Sequence, residues 1–134
     1  MSTKLIAKGT FAVEMKPEHQ DTIGDITFGR YTFNKVFKGD LEGTSKVEML
    51  GANSSNGSGA YVALERVDGK LNGKVGTFVL THVGTRTSNS QKLNVSIVSG
   101  CSTGELEGLE GNLVIEIVDK VHYYTIEYTL GNRS

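Results

Sequence analysis

Apolar and polar residues alternate along most of this chain with a period of two, the spacing of a strand that buries one face and wets the other. Ala7, Gly9, Phe11, Val13 and Met15 alternate with more polar neighbours, so the chain opens with a strand over residues 4–15. Residues 16–25 break the pattern with the sole proline and a cluster of acids, which predicts a loop. Residues 26–37 are rich in β-branched and aromatic side chains, and Lys38–Gly39 predicts a hairpin turn into a strand over residues 41–50. The Gly, Ser and Asn of residues 51–59 predict a mobile surface loop. Residues 60–67 and 70–83 read as a hairpin across Asp68–Gly69, and further strands are expected over residues 92–98, 112–118 and 122–130. No amphipathic helix of ten residues stands out.

About eight short, evenly spaced strands joined mostly by tight turns predict an all-β fold, a single eight-stranded antiparallel up-and-down meander spanning residues 1–134. Closing the meander into a barrel removes its edge strands, so a barrel is preferred to a sandwich. Two strands are apolar on both faces: Phe78 and Leu80 stand opposite Val75 and Val79, and Leu113, Ile115 and Ile117 opposite Val114 and Val118. One core cannot bury both sets, so a homo-oligomer, dimer or trimer, is expected to cover the outer one.

Counted from the expected Asp68–Gly69 turn, Tyr61, Ala63, Glu65, Gly76, Phe78, Leu80 and His82 share one strand face. That face mixes a carboxylate, a phenol and an imidazole with apolar groups, as a pocket wall does. The opposite face, with Val62, Leu64, Leu71, Val75 and Val79, reads as packing. Lys35 stands on the face opposite Arg30, and Glu127 lies between Ile126 and Tyr128. Alternation alone leaves two places open for Lys35, Glu65 and Glu127: the barrel lumen or a solvated outer face. Inside, they would have to be paired or hydrated, and with His82 they would position a proton donor or acceptor.

The 134 residues include 17 glycines, one proline and no tryptophan, a composition suited to strands and tight turns in one domain. A net charge of −1 gives no field toward nucleic acid or an anionic membrane, and no apolar run approaches the ~18 residues of a membrane helix. Neither is expected as a partner. The chain start has no apolar segment of signal-peptide length, so a cytoplasmic location is expected. Cys101, the sole cysteine, sits in a Gly/Ser turn and reads as a bystander thiol. His19, His82 and His122 share no ligand spacing, and the sequence NGSGAY lacks the Lys-Ser/Thr of a phosphate loop, so no metal and no cofactor are expected.

Three related frames, GDLEG (residues 39–43), GKLNG (69–73) and GELEG (104–108), keep the glycines and the leucine while the acids change. Chemistry requiring both acids would not survive Lys70 and Asn72 in the middle frame. A turn followed by a strand would, with leucine as the inward anchor and the flanking polar residues facing water.

The stretches AKGTF, KVFKGDLEGTSKVEML, GAYVALERVDGKLNGKVGTFVLTHVGT, GCSTGELEGLEG and YTIEYTL together resemble, in order and over nearly the whole chain, a bacterial family of domains of unknown function. The resemblance implies an eight-stranded antiparallel barrel similar to allene oxide cyclase, more distantly to dirigent proteins, with oligomeric assembly and no established activity. Lys35, Glu65, His82 and Glu127 match its recurring polar positions. The expected function is binding of a small, partly apolar molecule in the lumen, lined by Lys35, Tyr61, Glu65, Phe78, His82 and Glu127, with isomerisation or cyclisation as the chemistry such a lumen supports. The alternative is a structural or interaction module whose lumen is a filled core. A lipocalin-like carrier shares the barrel but belongs outside the cell.

Overall fold

In a computed structural model, which describes residues 3–131, the period-two pattern becomes nine strands. They are β1 (Leu5–Ile23), β2 (Ile26–Gly39), β3 (Leu41–Ser54), β4 (Gly59–Leu71), β5 (Lys74–Arg86), β6 (Gln91–Ile97), β7 (Thr103–Gly104), β8 (Leu109–Val118) and β9 (Val121–Leu130). Each strand from β1 to β5 pairs antiparallel with the next, β6 pairs with β8, β8 with β9, and β9 returns to β1. Eight strands therefore close a meander barrel, and the short β7 adds a rung to β5. Among the described residues, no helix is long and apolar enough to cross a membrane.

Several boundaries differ from the sequence expectation: the β2–β3 turn is centred on Asp40 and not on Lys38–Gly39, β8 begins at Leu109, and three further differences shape the barrel. The β4–β5 turn is Asn72–Gly73, with φ of 45° and 86°, the two positive values a type I′ turn requires. Asp68–Gly69 instead continues β4, and Gly69 lies between Gly43 on β3 and Gly76 on β5. Moving the turn by four residues, an even number, leaves every face assignment in the hairpin unchanged except for residues between the two turns. Leu71 is such a residue, and it is buried inside. Next, β1 runs through most of the loop expected at residues 16–25. It pairs with β9 only as far as Phe11, so Pro17 stands in an edge segment beside a register shift, where proline is tolerated. Last, β3 and β4 extend into the expected 51–59 loop and leave only residues 55–58 between them.

Inward side chains fill one end of the barrel. Leu41, Leu71 and Leu106, the leucines of the three repeated frames, are buried there with Phe78, Leu80 and Tyr124. The frame glycines Gly43 and Gly69, and Gly76 outside the frames, let strands close in around these anchors: a Cβ on any of them would meet a neighbouring backbone carbonyl oxygen at 2.1–2.3 Å. The frame acids do more than face water. Lys8 N donates to Asp40 Oδ2 while Asp40 N donates to Lys8 O, and Val75 and Glu105 repeat this reciprocal pair. Each carboxylate stands in for a strand neighbour at the filled end. The outer face that the sequence assigned to packing carries exposed apolar groups instead, including Val62, Leu64 and Val75.

Candidate functional site

The other end of the barrel is hollow. Residues that would have to meet across it are small or held to the wall: Gly51 and Gly84 face inward, and the Tyr61 ring lies against Gly84, where a Cβ would come within 2.2 Å of the ring. What remains is a cup of about 430 Å³, within the range of small-molecule sites. Phe11 and Lys35 stand low in it, Phe33, Met49 and Tyr61 line its middle, and Asn53 and Arg86 its rim. Its wall is incomplete, because β6 and β8 pair only at Val95↔Leu113 and Ser96↔Asn112.

The floor is polar and tightly bonded. Lys35 on β2 lies opposite Ser45 on β3, Glu65 on β4 lies opposite Val47, and His82 on β5 lies opposite Ala63. Glu65 thus sits diagonal to Ser45 and His82 on its two neighbouring strands, and the long Lys35 side chain reaches it across β3 from β2. Lys35 Nζ donates to Glu65 Oε1 at 3.1 Å, His82 Nε2 meets the same oxygen at 2.7 Å, and Ser45 Oγ donates to Oε2 at 2.5 Å. The Glu65 side chain is fully buried. Burial pushes its carboxyl toward the neutral form, but the His82 hydrogen bond, the Lys35 charge and the Ser45 hydrogen bond outweigh it and hold the group below its ordinary value. Lys35 also stands 4.7 Å from the Phe11 ring centroid, a cation–π distance.

An ionised Glu65 can only accept, so His82 Nε2 carries a proton. In the neutral ring Nδ1 is then the acceptor, and it makes no hydrogen bond among the described residues. His82 lines the cup. The arrangement is an imidazole oriented by a carboxylate, beside an ammonium with donors to spare, which suits proton transfer or hydrogen bonding to a bound polar group.

The structure brings together four of the six candidates: Lys35, Glu65 and His82 in the floor, with Tyr61 in the wall above. Phe78 faces inward as expected but belongs to the filled end, fully buried opposite Val67, and does not line the cup. Glu127 lies outside. Its neighbours Ile126 and Tyr128 take the inward positions, so alternation turns Glu127 to solvent, where it pairs with Lys4 at 3.1 Å. Ser45 and Arg86 were missed, although Ser45 had a legible signal: it shares the period-two face of Leu41 and Val47. Cys101 is exposed. Among the described residues, no group of three or more His, Cys, Asp or Glu side chains is placed to hold a metal ion.

No curated protein matches the chain. A crystal structure of a protein of unknown function from the DUF3224 family of Shewanella oneidensis is similar over 98% of this chain and 100% of its own, at 37% identity and a TM-score of 0.89. The sequence pattern of the family described as protein of unknown function (DUF3224) matches residues 7–128. This closed barrel, with its buried Lys35–Glu65–His82 floor, belongs to the DUF3224 family.

Proposed function

We propose that the cup binds a small, partly apolar molecule, and that the floor orients it. The observation carrying this is the cup itself: about 430 Å³ of space over apolar walls, ending on a bonded trio of ionisable groups. A packed interior has few voids larger than a water, so a barrel serving only as a core would have no such space. The Glu65–His82 pair beside Lys35 would then assist proton transfer in the bound molecule, the step an isomerisation or cyclisation needs.

Gly51 supplies the test. It faces the cup without a positive φ, and a Cβ there meets its neighbours only at 3.6–3.8 Å, ordinary contact distances. Gly51→Leu should therefore fill the cup and leave the fold intact. The uncharged fluorophore N-phenyl-1-naphthylamine should bind the natural protein saturably and bind the variant at least about tenfold more weakly, at an unchanged unfolding midpoint. Absence of saturable binding, or equal binding by both proteins, overturns the proposal.

A second reading, an interaction module that assembles with itself, draws on the outer face. Leu50, Val62 and Val83 lie in register across β3, β4 and β5 and are 47–51% exposed, with Leu64 beside them at 58%. We propose that a second copy covers this stripe, giving a homo-oligomer. Light scattering at micromolar concentration should return more than one protomer, and Leu64→Lys should lower the mass. A monomeric natural protein refutes it.

A further inference from the structure

The inward-facing charges of the barrel do not cancel. Lys35 and Glu65 neutralise one another in the floor. Two pleats above His82, on the same face of β5, stands Arg86, whose Nη2 donates to Asn53 Oδ1 at 2.9 Å. Asn53 is neutral, no carboxylate pairs with Arg86 among the described residues, and the floor carboxylate, Glu65, is already paired with Lys35. The belt between Arg86 and the floor is mostly apolar: Val13, Phe33, Met49, Leu93 and the Tyr61 ring.

We infer that the molecule taken by the cup is an amphipathic monoanion, with an apolar body against this belt and a single carboxylate-like oxyanion on the Arg86 guanidinium at the rim. This rests on the cup being a binding site, as proposed above. The guanidinium carries five N–H donors in a planar fork and is permanently charged; one donor is committed to Asn53, and the rest match two oxygens of an oxyanion. The bond to Asn53 holds the side chain at the mouth, so less freedom is lost when the anion arrives. A positive charge facing a cup walled by apolar groups acts through a lower effective dielectric than one in open water. A neutral ligand of the same shape would fill the belt and leave that charge unused.

Two dyes share one skeleton and differ by one anionic group: 8-anilinonaphthalene-1-sulfonate and the neutral N-phenyl-1-naphthylamine. At low salt the sulfonate should bind the natural protein about tenfold or more tightly than the neutral dye, the size of one charge-assisted hydrogen bond. Its advantage should shrink as salt is added. In Arg86→Gln the two affinities should converge, the larger loss falling on the sulfonate; Arg86→Lys, which keeps the charge without the fork, should retain part of the preference. If the neutral dye binds in a Gly51→Leu-sensitive way and the sulfonate has no advantage, or Arg86→Gln keeps the advantage, the anion inference falls while the cup remains a binding site. If neither dye binds, both fall.

Discussion

Glu65 shows how one residue decides what the barrel interior tolerates. A fully buried carboxylate is unfavourable alone, and here three donors converge on its two oxygens. Replacing it by glutamine would leave the Lys35 ammonium buried without a counter-charge, so Glu65→Gln should lower stability by roughly 3–5 kcal/mol, read by denaturant unfolding near neutral pH. Its carboxyl titrates below the ordinary 4.5, so its contribution is present above that pH and is lost as pH falls toward the lowered value. The natural protein should thus lose stability on acidification below about pH 4.5 more steeply than Glu65→Gln, and parallel curves would contradict the ion-paired floor. Glu65 and His82 were legible in sequence because each stands on an otherwise apolar strand face. Glu127 was misplaced because an acid between Ile126 and Tyr128 fits either side until one knows which face closes on the core.

The β4–β5 hairpin carries the same lesson for an element. Two turn signals, Asp68–Gly69 and Asn72–Gly73, compete within six residues, and local chemistry does not choose between them. Pairing with β3 does, because a strand reaching Leu71 buries that leucine at the filled end. The positive φ at Gly73 predicts that Gly73→Val costs roughly 1–2 kcal/mol. Asp68→Ala, on the outer face of a continuing strand, should stay within about 0.5 kcal/mol. Equal losses at both positions in urea unfolding would return the turn to Asp68–Gly69. The extension of β1 past Pro17 escaped the sequence for a related reason: proline excludes a central strand, and nothing local reveals that β9 has already ended.

At the scale of the molecule, the barrel is solid at one end and hollow at the other. The meander and its closure were readable from strand count and turn spacing, but the cup was not, since its volume depends on which small residues on distant strands meet across the lumen. Phe78→Ala, in the solid end, should destabilise by about 3–5 kcal/mol. Phe33→Ala, in the cup wall, should cost well under half as much because its ring already borders open space. Thermal unfolding of the two variants side by side checks the difference, and equal losses would mean that the cup is closed by packing in solution.

That lopsided filling has an evolutionary consequence. The side chains that hold the tube shut and those that a guest would touch are largely different, overlapping at Phe11, Val13 and Ile115. A lineage can therefore exchange residues around the cup, and with them what it admits, while the solid end keeps the chain folded. Tolerance of that kind lets one scaffold drift among guests without passing through an unfolded ancestor.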